Sequence, residues 1–331
     1  MTRKWNWGIL GCGNIAEKFS SDLQTLPNAN LYAAASRSQS KANIFAERFG
    51  FIKKYGSYSE LVNDPEVDII YIATPHSHHL EHSLLCLNHG KAVLCEKAFA
   101  LNSYQSDQMI QAAREQEVFL MEAFWTRFQP AFLKVKDLLE QKILGEVKMI
   151  RSDFAFNGPF DPENRLYNLA LGGGSLLDIG IYPVFAALQA FGRPDEIKTI
   201  AQFSSTGSEE SIAILFKYNE GQIASLQSSF AVYSDTQSEY WCENGYIRIK
   251  RQGIGPTKVE VWRSDESSEE VEFTYPDTHG YHLEAKHVMD CLDQRLTESP
   301  LLPLSFSALL METLDRIRQD AGIRFPAYEP E

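Results

Sequence analysis

The stretch WNWGILGCGNIA, residues 5–16, decides the fold of this chain. Its apolar start, 5–10, predicts a short buried strand, and residues 14–25 predict a helix that follows almost at once. Gly11 stands where a tight turn is needed, and Gly13 lets the backbone come close to a ligand. The spacing is G-x-G-x-x-A, placed between a strand and a helix as in dinucleotide-binding loops.

The start of the predicted helix suits an anion. Asn14 and Ile15 lie in its first turn, where backbone N–H groups have no partner within the helix and the helix dipole is positive. Ala16 completes the spacing with a side chain small enough for close packing of helix and strand. These features predict a pyrophosphate site; the alternative is a glycine-rich turn without a ligand.

The end of the second predicted strand, 29–35, indicates which dinucleotide binds. Loops that bind NAD usually place a carboxylate there for the ribose 2′-hydroxyl. This chain instead has Ser36 and Arg37, which can donate to a 2′-phosphate, and Lys41 adds a further positive charge. We therefore expect NADP rather than NAD. The alternative is that Arg37 is only a solvated surface residue.

Strands alternate with helices through the first part of the chain. Such alternation is typical of a parallel sheet built from βαβ units. It predicts an NADP-binding α/β Rossmann domain, a doubly wound parallel sheet, over residues 1–122. Strands are predicted at 5–10, 29–35, 67–73, 92–95 and 119–121, and helices at 14–25, 40–49, 79–89 and 103–116.

The pattern changes after residue 123. Short alternating segments between 196 and 275 predict a mostly antiparallel sheet, with a strand at 147–156 before them. Helices are predicted at 130–141, 175–190, 281–294 and 305–320. Residues 123–331 should therefore form an α+β domain with an open sheet, which binds the substrate and mediates oligomerisation.

Composition excludes several classes of partner. The 331 residues include 44 acidic and 31 basic side chains, a net charge of −13, which argues against nucleic acid or an anionic membrane. Five cysteines without a C-x-x-C pair predict reduced thiols. We identify neither a signal peptide nor an apolar run of about 18 residues that would span a bilayer. A cytoplasmic protein is expected.

Two further motifs come directly after predicted strands. ATPHSHH at 73–79 follows the third strand, and Cys95-Glu96-Lys97 follows the fourth. With the phosphate loop they resemble the glucose–fructose oxidoreductase/inositol dehydrogenase (Gfo/Idh/MocA) family over essentially the whole chain. That family usually has proline where this chain has Ala98, and asparagine where it has His76. The resemblance implies cofactor-site positions at Thr74, Pro75, His76, His79, Glu96 and Lys97.

Two later segments narrow the resemblance. EAFWTRF at 122–128 and GGSLLDIGIYP at 173–183 resemble the branch that contains dimeric dihydrodiol dehydrogenases and NADP-dependent D-xylose dehydrogenases. Most of the family has D-x-G-x-H at the second segment, whereas this branch and this chain have D-x-G-x-Y. The ending, with 298–300 and 303–304, fits as well.

The resemblance implies Lys97, Asp178 and Tyr182 as catalytic residues. Oxidation of an alcohol requires removal of its hydroxyl proton, which Tyr182 can accept if its phenol pKa falls from about 10. A nearby Lys97 ammonium would lower that pKa and polarise the substrate oxygen. Asp178 lies four residues before Tyr182, on the same helix face, and can orient Lys97 or a substrate hydroxyl. The alternatives are a core tyrosine and a structural aspartate.

The branch also implies an aromatic substrate pocket. Trp125 and Phe154 are the predicted lining residues, with Phe156 as a further one. Aromatic faces pack against the C–H faces of sugars as well as against hydrocarbon rings, so a sugar and a cyclic diol are alternative substrates. Arg127 can contact a phosphate, a substrate oxygen or an acidic side chain, and these alternatives stay open.

A histidine cluster follows the third strand. His78 and His82 have the i,i+4 spacing of two zinc ligands on one helix. The H-E-x-x-H pattern is absent, and the resembled family needs no metal. We therefore expect no metal site.

An open sheet leaves one apolar face to be covered, because exposed apolar faces are unfavourable. The 175–190 helix can cover one face only. A homodimer formed through the other face is expected, as the branch also suggests.

These expectations converge on a dehydrogenase. The predicted reaction is NADP-dependent hydride transfer at a hydroxyl or carbonyl carbon of a sugar or cyclic vicinal diol. One alternative is an NADP(H)-binding sensor or regulator without turnover. The other is a reductase of a non-sugar carbonyl.

Overall fold

The structure is a computed structural model that describes residues 3–250, 253–275 and 277–328. Its chain divides into two compact units. The first contains residues 1–125 and 275–308, and the second contains 126–274 and 309–331. Each unit is built around its own sheet.

The first unit contains a parallel sheet of six strands. The strands are β1 Trp5–Leu10, β2 Ala29–Ala35, β3 Lys53–Tyr55, β4 Ile69–Ile72, β5 Ala92–Glu96 and β6 Leu120–Ala123. Their order is β3-β2-β1-β4-β5-β6, and every neighbouring pair is parallel. The order reverses between β1 and β4, which is the switch point where ligands bind in doubly wound sheets. The predicted fold class of this domain is confirmed.

Helices connect these strands. They are α1 Asn14–Leu23, α2 Gln39–Phe49, α3 Tyr58–Asn63, α4 His79–Leu87 and α5 Ser103–Gln116. Strand β3 and helix α3 were not predicted. The three residues of β3, Lys-Lys-Tyr, are too few and too polar to show a periodic apolar pattern.

The second unit contains a mixed sheet of eight strands. They are β7 Val147–Ala155, β8 Glu196–Phe203, β9 Glu209–Lys217, β10 Ile223–Ser229, β11 Ser238–Cys242, β12 Gly245–Ile249, β13 Thr257–Arg263 and β14 Ser268–Phe273. Their order is β14-β13-β12-β11-β7-β10-β9-β8, and only the pair β7–β10 is parallel. The predicted open, mostly antiparallel sheet is confirmed.

Helices α6 Pro130–Glu140 and α7 Ile181–Phe191 belong to the second unit. Helix α7 packs against β7 and β10. Leu226 of β10 is buried, and so are Ile214, its cross-strand partner on β9, and Ile212. Because strand side chains alternate between faces, the other face carries their neighbours, among which Ile200 and Leu215 are 80% and 52% exposed.

The structure differs from the predicted division at 122/123 in two segments, because residues 123–125 and 275–308 belong to the first unit. Helix α8, Tyr281–Asp293, was predicted in the second domain but belongs to the first unit. The reason is Asp22 of α1, which is 1% exposed and accepts hydrogen bonds from the backbone N–H groups of His279 at 2.9 Å and Tyr281 at 2.7 Å. The last helix, α9 Leu304–Ala321, contains the division at 308/309.

One helical stretch differs from the expectation that no apolar run is long enough to span a bilayer. Among the described residues, Leu169–Phe191 is long and apolar enough to cross a membrane by length and composition alone. However, 83% of its apolar window is buried inside the protein. Burial of that extent is typical of a core helix. The stretch ends in α7, which packs against β7 and β10 of the second sheet.

Candidate active site

The phosphate loop requires glycine at its first position. Gly11 has a φ of +100°, and a Cβ there would lie 3.0 Å from Thr74 Cγ2 and 3.1 Å from the Ala73 carbonyl oxygen. At Gly13, by contrast, a Cβ would meet nothing within 4 Å. Gly13 caps α1 without a side-chain hydrogen bond, so the first backbone N–H groups of the helix, at Asn14 and Ile15, face an open approach. This geometry fits a pyrophosphate.

The carboxyl end of β2 presents the residues predicted for a 2′-phosphate. Ser36 is 8% exposed and accepts a hydrogen bond from the backbone N–H of Ser38 at 3.3 Å. Arg37 and Lys41 are both exposed, and the Ser38 side chain caps α2 by accepting from the Lys41 N–H. Two exposed cations and a buried hydroxyl therefore follow closely after this strand in the chain.

Cys12 lies inside the phosphate loop, where its thiol lies 3.5 Å from the Ala35 carbonyl oxygen. Burial raises the pKa of Cys12 to about 12. The thiol is therefore protonated at neutral pH and a weak nucleophile, as expected of a small side chain in a crowded turn.

His79 joins the loops that follow β4 and β5. Its side chain is 0% exposed, with Nε2 2.8 Å from the Thr74 carbonyl oxygen and Nδ1 2.8 Å from the Ala98 carbonyl oxygen. Both ring nitrogens are thus occupied by backbone oxygens. This placement favours a structural role for His79, which the resemblance implied as a cofactor-site position.

Lys97 is half-buried and follows directly after β5, so it lies at the carboxyl end of the parallel sheet. Its backbone N–H donates to Glu96 Oε2 at 3.2 Å, and the Lys97–Ala98 peptide is cis. Glu96 in turn accepts a short hydrogen bond from the Tyr71 hydroxyl. Tyr71 is fully buried and stacks on Phe19, with ring centroids 3.8 Å apart.

Two further buried carboxyl groups belong to this unit and were not predicted. Glu122 is 0% exposed, and burial raises its pKa to about 7 against the lowering effects of Ser307 and Phe99. Glu284 of α8 is also 0% exposed, and burial together with Glu96 raises its pKa well above its usual range. At pH 7 the Glu122 carboxyl group is therefore about half protonated, and burial favours the protonated form of Glu284 as well.

The remaining residues of the loop after β4 lie near the histidine cluster. Thr74 Oγ1 lies 3.0 Å from His82 Nδ1, so the predicted cofactor residue Thr74 holds the ring of His82. His76 is 8% exposed and packs edge-on against His79, with ring centroids 5.6 Å apart. Pro75 precedes this turn at φ −59°.

Trp125, a predicted pocket residue, also belongs to the first unit. Its ring stacks on Tyr281 of α8, with centroids 4.7 Å apart and planes inclined by 22°. Trp125 is partly exposed, which leaves part of the indole accessible.

In the second unit, Asp178 is not part of a continuous α-helix. The predicted helix 175–190 consists of a π-helical turn, Leu176–Gly180, followed by α7. π-Helical turns occur often at functional sites. Asp178 is 6% exposed and accepts from Arg165 Nη1 at 3.0 Å, a partner that the sequence did not indicate.

Glu209 anchors the start of this π-helical turn. Its Oε1 accepts the Leu176 N–H at 2.7 Å, and the residue is 2% exposed. Gly174 has a φ of +133°, and a Cβ there would lie 2.3 Å from the Glu209 carboxylate. Burial raises the pKa of Glu209 to about 7. Glycine at 174 is thus required both by the backbone conformation and by the approach of Glu209.

Tyr182 lies in the first turn of α7 and is 9% exposed. Phe154 of β7 packs against it, with ring centroids 5.6 Å apart, and Phe156 packs against Phe154 at 6.4 Å. Phe154 and Phe156 are each partly exposed. The structure therefore brings the predicted base and two predicted pocket residues into one aromatic cluster.

Arg127 is buried, with 5% of its surface exposed, and burial lowers its pKa. Its neighbour Thr126 donates from Oγ1 to the Ile254 carbonyl oxygen at 2.8 Å, which fixes the chain here.

Sequence comparison assigns both halves of the chain to one family. The profile of the oxidoreductase family with an NAD-binding Rossmann fold, GFO_IDH_MocA, matches residues 5–124. The profile of the GFO/IDH/MocA C-terminal domain matches residues 132–248.

Curated relatives match over nearly their whole length. Trans-1,2-dihydrobenzene-1,2-diol dehydrogenase of Xenopus laevis is 37% identical, over 97% of this chain and 99% of its own. The human protein of the same name is 36% identical, over 97% of this chain and 98% of its own.

Solved structures share the fold. A 3-ketoreductase from Actinomadura kijaniata in complex with NADP superposes with a TM-score of 0.88 at 24% identity, covering 96% of this chain and 98% of its own. An aldose–aldose oxidoreductase from Caulobacter crescentus has a TM-score of 0.88 at 23% identity, covering 97% and 98%. With both family profiles and full-length relatives in agreement, this chain belongs to the Gfo/Idh/MocA oxidoreductase family.

Proposed function

We propose that the protein is an NADP-dependent dehydrogenase acting on a CH–OH group of a sugar or a cyclic vicinal diol. The observation that carries this proposal is the place of Lys97, at the end of β5 on the edge where the phosphate loop opens. A hydride acceptor bound along that edge brings its nicotinamide to the carboxyl ends of the strands. Full-length similarity to dihydrodiol dehydrogenases supports the substrate class.

The cofactor would be held by groups of the first unit. The open backbone at Gly13 and the uncapped start of α1 suit a pyrophosphate, and Ser36 with Arg37 suits a 2′-phosphate. NADP⁺ supplies the hydride acceptor when bound.

The chain's own residues would handle the proton. Oxidation of CH–OH releases one hydride from carbon and one proton from oxygen. We assign removal of that proton to Tyr182 and polarisation of the oxygen to the Lys97 ammonium. Asp178, paired with Arg165 in the structure, would orient a substrate hydroxyl or Lys97. Trp125 and Phe154 would pack against the apolar face of the ring.

The state of the cysteines bears on the compartment in which the protein works. All five cysteines are free thiols, and the burial of Cys86, Cys95 and Cys291 protects them. We place the protein in the reducing cytoplasm, with a small-molecule substrate and neither nucleic acid nor membrane as a partner.

A homodimer through the exposed face of the second sheet completes the proposal. Ile200, Leu215, Ile223 and Trp241 are 80%, 52%, 40% and 40% exposed, and cross-strand pairing places them on one face. A groove of about 550 Å³ on this face holds none of the predicted site residues. An apolar face of this kind favours association.

The cofactor assignment is tested with Arg37→Ala. Loss of a charge-assisted bond worth about 1.5–3 kcal/mol should lower the preference for NADP over NAD by about tenfold or more. The measurement is the ratio of kcat/KM for the two cofactors. Arg48→Ala, which removes an exposed arginine paired with Glu17, is the matched control and should leave the ratio unchanged. An unchanged ratio in Arg37→Ala would refute the assignment.

The proton chemistry is tested with Lys97→Met and Tyr182→Phe. Each should lower kcat at least about 100-fold, because positioned acid–base groups contribute that much. NADPH binding, followed by its fluorescence, should persist in both variants. Lys54→Met and Tyr104→Phe, at exposed positions, are the controls. Near-normal kcat in either site variant would exclude that residue from the reaction.

The dimer is tested by sedimentation at micromolar concentration. The protein should sediment at twice its chain mass of 37.5 kDa. Ile200→Glu should shift it to the monomer, whereas Ile44→Glu, on the exposed side of α2, should not. A wild-type monomer at this concentration would contradict the proposal.

A further inference from the structure

Three metal-ligand side chains meet at the start of α4. One ligand atom each of His78, Glu81 and His82 lies within 4.8 Å of the other two. His78 Nδ1 is 3.9 Å from Glu81 Oε2, and the rings of His78 and His82 stack with centroids 5.5 Å apart. Their order along the chain is H-x-x-E-H, the reverse of the H-E-x-x-H pattern that is absent here.

The ring of His82 is already oriented by its surroundings. It is 7% exposed, lies edge-on to Tyr58 at 4.7 Å between centroids, and has Nδ1 3.0 Å from Thr74 Oγ1. When Nδ1 donates to that hydroxyl, Nε2 carries the lone pair that a metal requires. A hydrogen bond at the other ring nitrogen is the usual support of a metal-binding histidine.

The other two groups remain reachable from solvent. The side chains of His78 and Glu81 are 32% and 77% exposed. Entry of an ion therefore needs no opening of the core.

We propose that His78, Glu81 and His82 form a binding site for a divalent ion of the zinc type, with its fourth position open to water. Two imidazole nitrogens and one carboxylate match the donors that zinc takes in three-ligand sites. Two histidines four residues apart on one helix face reach a single ion. The proposed site revises the expectation that this cluster binds no metal, which rested on the absent H-E-x-x-H pattern and on the resembled family.

The test uses Co²⁺ as a probe, because Co²⁺ in a site of low coordination number absorbs visible light far more strongly than aqueous Co²⁺. The purified full-length protein should show this absorption at one equivalent of Co²⁺ and lose it on addition of one equivalent of Zn²⁺. His78→Ala should weaken Co²⁺ binding at least about tenfold. Glu81→Gln should weaken it as well, with a change in the shape of the absorption band.

His89→Gln is the matched control. His89 lies just beyond the end of α4, with Nδ1 2.8 Å from the Leu85 carbonyl oxygen, outside the cluster. Its removal should leave the Co²⁺ titration unchanged. His78 and Glu81 are solvent-accessible, so their variants should fold, and circular dichroism checks this. Absence of the absorption, or its full retention in His78→Ala, would overturn the proposal.

Discussion

The imidazole of His79 is the constraint on which the candidate site of the first unit depends. It is fully buried and joins the Thr74 and Ala98 carbonyl oxygens, so the loops after β4 and β5 hold a fixed relation. Two carbonyl partners favour a doubly protonated ring, but burial opposes the charge more strongly and lowers the pKa of His79. A neutral ring donates to one of the two carbonyls and packs tightly against the other, so one hydrogen bond and close packing together hold the two loops. The fixed loops present Thr74 against Gly11 and place Lys97 at the same strand edge.

The second unit uses a buried carboxylate in a comparable way. Glu209 holds the first N–H group of the π-helical turn, and Gly174 leaves the space that its carboxylate fills. The chain from there leads through Asp178 to Tyr182 within two turns. Burying such a polar group costs free energy unless it is hydrogen-bonded. A buried carboxylate therefore keeps its partner and fixes the position of the backbone that it binds. In both units, the backbone that carries the proposed catalytic residues is held by a buried polar side chain, His79 in the first and Glu209 in the second.

The sequence predicted what local periodicity and motif spacing determine. Apolar runs and glycine spacing identified both sheets and the phosphate loop, because each depends on residues close together in the chain. The three polar residues of β3 carry no such pattern. Asp22 contacts residues 257 positions away, so the placement of 275–308 had no local signal. Arg165 and Glu209 act on Asp178 and Leu176 through tertiary contacts only. No local pattern in the sequence marks Glu209, which meets the glycine-rich turn at 172–174 only in the folded structure.

The central claim is that this chain oxidises a CH–OH group with NADP. The most direct measurement follows NADPH absorbance with purified protein, NADP⁺ and a panel of aldoses, inositols and cyclic vicinal diols, repeated with NAD⁺. The account predicts turnover on one of these classes, faster with NADP⁺ than with NAD⁺. Absence of turnover on every compound of the panel, with NADPH still bound tightly, would contradict the claim. It would favour an NADP(H)-binding sensor or a reductase of a non-sugar carbonyl.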